Sequence, residues 1–155
     1  MDVTYINSFL EACSSVLSQF GVEFKSGKPH LKGSYKLKDQ IVVIIGVTGQ
    51  FKGQVVFNLD TDSALKIVSN MMGGVEVKSF DDMSKSALSE LVNMILGNTA
   101  TVFYNKGVNI DITPPSVLMG DNMSLTPQTP TISIPLEFSV GGKMDLDITL
   151  KENEA

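Results

Sequence analysis

Ser86, Glu90 and Asn93 bring a hydroxyl, a carboxylate and a carboxamide into one short stretch, at spacings of four and three residues. At roughly 100° of rotation per residue, these three and Gly97 fall in a narrow strip along one side of a helix. Leu88, Leu91, Val92, Ile95, Thr99 and Val102 lie around the opposite side. A carboxamide can orient a water molecule, although it cannot act as a base at neutral pH, and a carboxylate can meet a cation. The plain alternative is a solvated helix face. Two features weigh against it. Asparagine competes for its own backbone in mid-helix and so needs a reason to be there. The strip also holds no Lys or Arg to give Glu90 the i,i+4 partner of an ordinary solvated face.

Other candidate chemistry is weaker. His30 is the sole histidine and has no Cys, Asp or Glu at metal-ligand spacing. Cys13, the sole cysteine, excludes an intramolecular disulfide or a multi-cysteine zinc site, and it falls on the apolar side of a helix. Gly46, Gly49 and Gly53 lack the Lys-Ser/Thr of a phosphate-binding loop. Met71, Met72 and Met94 read as packing. With 155 residues, 43% hydrophobic and 19% charged, the composition is that of one globular domain, 1–155, that needs no staples. A net charge of −5 without clustered Lys and Arg disfavours nucleic acid as a partner. No basic segment leads into an apolar run at the start, and the apolar stretch 41–47 is too short to span a bilayer. The expectation is a cytoplasmic protein without membrane insertion.

The elements that must position the strip follow from periodicity. Val3, Ile6, Phe9, Leu10, Cys13, Val16, Leu17 and Phe20 recur at spacings of three and four, which predicts an amphipathic helix ended by Gly21. A Gly/Pro-rich joint (25–29) follows, then a strand near 30–36. Residues 41–47 read as a buried strand, with 54–59 as its hairpin partner. Asp60 or Thr61 caps a helix stopped by Gly73-Gly74. Ser79 and Asp82 have the spacing of a capping box for the long helix, placed at 80–104 and ended by Gly107. Short strands near 110–112 and 116–119 are separated by Pro114-Pro115, and a polar loop runs from Gly120 to Pro130. Ile132, Ile134, Leu136 and Phe138 alternate with polar or small residues, as do Met144, Leu146, Ile148 and Leu150; Gly141-Gly142 joins them as a hairpin. Residues 152–155 read as a frayed tail. The order predicts an α+β fold, a mainly antiparallel sheet packed with long helices, with a hint of internal duplication because a long helix opens each half.

Ser86-x3-Glu90-x2-Asn93, followed by Asp111-Ile112-Thr113-Pro114-Pro115, resembles the signature of the CheC/CheX/FliY family of chemotaxis phosphatases. The CheX type is the nearest. The resemblance extends to Gly46-Val47-Thr48-Gly49, Ala64-Leu65-Lys66-Ile67-Val68 and Met71-Met72-Gly73-Gly74. It implies a CheC-like fold and an enzyme that removes the phosphoryl group from the aspartyl phosphate of a CheY-like receiver domain. By that resemblance Asn93 enters the receiver's active site and orients the attacking water, Glu90 engages the receiver's lysine, and Ser86 supports the interface with Gly97. No cofactor is then expected on this chain, because Mg2+ belongs to the receiver. The chemistry suits the residues: phosphoryl transfer asks for positioning and charge stabilisation, and a loose transition state needs little early proton abstraction.

Asn7-x3-Glu11-x2-Ser14 repeats the spacing in the first helix, but Ser14 stands where the carboxamide would be. That helix reads as a site lost or never completed, as in CheX-type members, which have one motif helix. CheX-type relatives are homodimers, so a homodimer is expected here, joined through a sheet edge left open by the hairpin 131–151. The rival reading is a non-catalytic receiver-binding adaptor or flagellar-switch-like module of the same fold. A small-ligand sensor has only generic Gly-rich turns in its favour.

Overall fold

A computed structural model describes residues 3–37, 40–127 and 129–153. Among them are three helices and ten strands. The first half runs α1 (Val3–Ser18), β1 (Phe24–Ser26), β2 (His30–Lys32), β3 (Tyr35–Leu37), β4 (Gln40–Gly49), β5 (Phe51–Asp60) and α2 (Thr61–Met71). The second runs α3 (Asp82–Asn105), β6 (Ile110–Ile112), β7 (Ser116–Gly120), β8 (Met123–Leu125), β9 (Thr131–Phe138) and β10 (Lys143–Glu152). The main sheet has the order β1-β9-β10-β5-β4-β6, with β2 also on β9 and β7 also on β4, while β3 pairs with β8 as a separate ribbon. Every pairing is antiparallel. The fold is α+β, as the alternating runs and short turns predict.

The strand order reads the same from both ends if β1 is exchanged with β6, β2 with β7, β4 with β9 and β5 with β10. The duplication is therefore real at the level of topology, with the β5–β10 ladder at its centre. Inner-face side chains of that ladder and its neighbours (Val43, Ile45, Val55, Phe57, Ile134 and Leu146 among them) form one core with the buried faces of α1, α2 and α3. Tyr5 and Phe9 of α1, Phe51 of β5 and Phe103 of α3 close one end of it, with ring centroids 5.0–6.0 Å apart. Cys13 lies fully inside this core, and burial pushes its thiol up to about 12, so it stays protonated and unreactive.

Several expectations need correction. Phe24–Ser26, whose last two residues fall in the joint read at 25–29, is a strand, because Pro29 lies outside its pairing with Leu136–Phe138 of β9. The stretch 30–36 is two strands interrupted at Gly33-Ser34, and the polar loop 120–130 contains β8, whose Met123 packs on Val42 and Val56. Its position 128 lies outside the described residues. Glu152 belongs to β10, and Asn153 is held to Gln50 and Gly49 by hydrogen bonds of 2.8 Å, so neither is frayed; positions 154 and 155 lie outside the described residues. The hairpin 131–151 offers no open edge. Its strands are interior, β10 between β5 and β9 and β9 covered by β1 and β2, because local alternation cannot reveal which strands come back to pair.

The outer face of the sheet buries a carboxylate. Asp147 is only 1% exposed, takes a 3.1 Å ion pair from Lys32 of β2, and accepts a hydrogen bond from the Asn58 amide. Lys32 also reaches Asp145 at 3.4 Å. One lysine thus ties the edge strand to the centre of the sheet. Removing one partner of a buried pair leaves the other uncompensated. Lys32→Met is therefore expected to lower the unfolding free energy by about 3 kcal/mol, read from the midpoint of a urea transition at neutral pH. An unchanged midpoint would show that Asp147 is solvated without it.

Candidate functional site

The 24 residues of α3 form a helix for tertiary reasons more than local ones. Leu88, Leu91, Val92, Ile95, Leu96 and Phe103 are all buried, and each contributes roughly 1.5–3 kcal/mol by leaving water. Against this, a mid-helix Gly97 costs about 1 kcal/mol relative to Ala, and Asn93, Ser86 and Ser89 a few tenths each. Packing wins by a wide margin, so the exposed face is free to carry poor helix formers. Val102, expected on the apolar side, is half-buried.

The start of α3 differs from the capping box read in the sequence. Asp81 is the N-cap: its carboxylate accepts from the Ser84 backbone N–H at 2.9 Å and from the Ser84 hydroxyl at 2.8 Å. Those two bonds hold its carboxyl below the usual carboxylate range, so the cap is intact at neutral pH and is lost only as acid protonates it. Ser79 contributes its carbonyl, which accepts from the Ser84 hydroxyl at 3.3 Å. An aspartate one residue from the helix outcompetes a serine three residues away. The other end follows expectation. Gly107 adopts φ 83°, and bonds from the Gly107 and Val108 N–H groups to the carbonyls of Tyr104 and Phe103 close the helix.

Ser86, Glu90 and Asn93 are exposed, and Gly97 is half-buried on the same strip. Ser86, Ser89, Glu90, Asn93 and Lys85 line a shallow open depression whose far wall is Pro115. No side-chain hydrogen bond or ion pair to another described residue holds Glu90 or Asn93. Lys85, outside the strip, stands at the margin with its ammonium 3.6 Å from Asp82 and five residues from Glu90. The pair is a carboxylate and a carboxamide one helical turn apart, both unengaged.

In the sequence Pro115 reads as a break between strands and as part of the family signature, not as a wall of the depression beside Asn93. Its place is fixed by Thr113, whose N–H bonds the Gly46 carbonyl at 2.9 Å and whose hydroxyl accepts from the Gly46 N–H at 2.8 Å. A Cβ on Gly46 would stand 3.0 Å from the Thr113 side chain, close enough that the threonine would have to shift. The two prolines then interrupt the strand that pairs with β4, because neither can donate to the ladder. Sequence reasoning also missed Ser89, which lies one turn before Asn93.

The duplication sets the true counterpart of the site on α1. Gly21 and Gly107 are both left-handed, and the bonds Gly21 N–H to Ser18 and Val22 N–H to Leu17 repeat those of Gly107 and Val108. The matched positions are 86 residues apart (Gly21 with Gly107, Phe24 with Ile110). At that spacing Thr4 stands in the place of Glu90, Asn7 of Asn93, Glu11 of Gly97 and Pro29 of Pro115. The alignment of Glu11 with Glu90 and Ser14 with Asn93 is therefore seven residues out. Seven residues are close to two turns, so the shifted match still falls on one face and looks right in sequence. On either alignment α1 lacks one member of the carboxylate–carboxamide pair.

His30 is exposed, its ring 3.4 Å from the Lys28 carbonyl, and no cluster of three metal-ligating side chains occurs among the described residues. No described helix is long and apolar enough to cross a membrane.

Residues 41–137 match the family model for chemotaxis phosphatase CheX. The chain is 30% identical over 152 residues to the CheY-P phosphatase CheX of Thermotoga maritima, covering 97% of this chain and 98% of that one. Its fold matches a CheC-like superfamily protein from Shewanella sp. PV-4 at 29% identity and TM-score 0.86, over 97% of this chain and 99% of the other. It also matches the crystal structure of a CheX–CheY–BeF3–Mg2+ complex from Borrelia burgdorferi at 30% identity and TM-score 0.77, over 96% and 98%. With an exposed Glu90–Asn93 pair on the helix that opens its second half, a duplicated α+β sheet and end-to-end similarity to an enzyme of that name, the chain belongs to the chemotaxis phosphatase CheX family.

Proposed function

We propose that this chain hydrolyses the aspartyl phosphate of a CheY-like receiver domain, with α3 as the docking helix. The observation that carries this reading is the Glu90–Asn93 pair, exposed and unengaged beside Pro115, in a chain that aligns end to end with a CheY-P phosphatase. A pure scaffold would have no need of that pair.

In this reading the receiver brings the phosphoryl group and its Mg2+ as the substrate. The Asn93 carboxamide holds a water molecule in line with the phosphorus–oxygen bond to the aspartate. The water oxygen forms the new bond to phosphorus as the bond to the aspartyl oxygen breaks, which releases inorganic phosphate and returns the carboxylate. Orienting the water in advance removes entropy from the barrier, and little proton abstraction is required at the start. Glu90, one turn away, meets a receiver lysine and sets the register of docking, a role for charge complementarity more than for chemistry.

Asn93→Ala is expected to keep the fold, because the side chain is exposed, and to lower stimulated phosphate release about 100-fold or more, as loss of a positioned transition-state group does. Near wild-type turnover by a folded variant would sink the mechanism. Glu90→Ala is expected to act mainly through affinity, so that raising the receiver concentration recovers activity. Glu11→Ala and Ser14→Ala should leave release unchanged, measured in the same assay with Mg2+ present.

The reading includes a homodimer, joined through an edge other than the hairpin 131–151, whose strands are interior. Among the described residues the main sheet ends in two short edge strands on each side, β1 and β2 on β9, β6 and β7 on β4. β2 carries His30 and Lys32, whereas Ser116–Gly120 is uncharged and leaves Leu118 and Met119 about half exposed. An uncharged edge with exposed apolar side chains is the better strand to pair with a second copy. Light scattering at micromolar concentration is expected to give the mass of two chains, and Leu118→Lys to shift it toward one. A wild-type mass of one chain would refute the dimer.

A further inference from the structure

Gly97 lies deep within α3, where the fold gives no reason for glycine. It is not among the glycines of positive φ, and nothing in the rest of the protein comes within 4 Å of where its Cβ would stand. The duplicated half provides an internal control. The matching position on α1 is Glu11, an exposed residue with a full side chain, so this place in the helix–sheet arrangement does not itself demand glycine. Glycine is also among the worst residues for a helix interior. Its presence therefore answers to something outside the chain.

We infer that Gly97 is a notch that lets the rim of the receiver's phosphorylation site close down on α3. Asn93 is one turn before it on the same strip, and Ser89 is one turn before Asn93. The asparagine side chain is short. For its carboxamide to reach a phosphoryl group set inside a receiver pocket, the surface around that pocket must approach the helix backbone. Glu90, three residues before Asn93, has the receiver's lysine to meet; Ser89 and Gly97, four residues to either side, have no such partner, lie in the receiver's path and have to be small. Gly97 is thus a positioning residue, acting through the depth at which Asn93 is delivered. On α1 the same place is filled by Glu11, which would hold a receiver off even though Asn7 occupies the place of the catalytic carboxamide.

The inference rests on α3 being the receiver-docking face, and the test separates the two. Wild type, Gly97→Ala and Gly97→Leu are compared by thermal melting, by release of phosphate from a phosphorylated CheY-like receiver, and by binding to that receiver loaded with Mg2+ and beryllofluoride. Gly97→Ala is expected to raise the melting temperature by about 2–4 °C, since alanine suits a helix better. It should nevertheless lower kcat/KM at least ~10-fold, as a methyl group in a close-packed contact does. Gly97→Leu should lose beryllofluoride-dependent binding. A wild-type protein with neither release nor binding would overturn the docking face itself. Active wild type with equally active Gly97→Ala would overturn the notch alone. A Gly97→Ala protein that melts lower or fails to fold would also overturn it, because the fold would then be what requires glycine.

Discussion

The antiparallel ladder between β5 and β10 is the pairing on which the rest of the molecule hangs. Nine residue pairs, from Met144 opposite Leu59 to Glu152 opposite Phe51, join one half of the chain to the other along the centre of the sheet. Each half alone is a hairpin with an amphipathic helix and an open inner edge. Closing that edge places the inner faces of both hairpins side by side, and only this double width gives α1 and α3 a surface broad enough to bury their apolar sides. The partners are about ninety residues apart in sequence, so the ladder is closed only after a large loss of chain entropy, and the core it assembles has to offset that loss.

The same ladder explains how α3 can be a working helix. Its stability comes from the buried side, with six large apolar residues contributing on the order of 10 kcal/mol. Its outer side contributes little to folding and carries asparagine, glycine and serines that an isolated helix would tolerate poorly. The apolar side chains that hold the helix and the polar ones of the strip are segregated onto opposite faces of one element. The β6–β7 corner is fixed to β4 through Thr113 and Gly46, and Pro115 lines the depression beside the exposed face of α3. The carboxylate and the carboxamide stay exposed and unengaged by any other described residue.

The two halves have diverged within one architecture. The α1 helix keeps the left-handed cap, the two cap bonds, the edge strand and the proline of its counterpart. It retains Asn7 but has threonine for the carboxylate and a glutamate in place of Gly97. Since neither helix face is part of the core, these exchanges come at small cost to folding. A duplicated fold can in this way keep its frame while the exposed surfaces of its two halves diverge.

Much of this was written locally. The periods of three and four in α1 and of two in β9 and β10 are read directly from residue order, as are the turns at Gly73-Gly74 and Gly141-Gly142 and the alignment of Ser86, Glu90, Asn93 and Gly97 on one side of a helix. Each depends on residues within a turn or two of one another, so the sequence by itself determined the elements and the chemistry of the strip. What the tertiary structure decided is everything that depends on distant pairing. It made 131–151 the interior of the sheet, turned residues 24–26 and 123–125 into strands by giving them β9 and β3 as partners, brought Pro115 up to Asn93, and set the correspondence of the two halves at Asn7 instead of Glu11. Short strands have too few residues to declare a period, and a helix looks the same after two turns; only hydrogen bonds made across the whole length of the chain distinguish the alternatives.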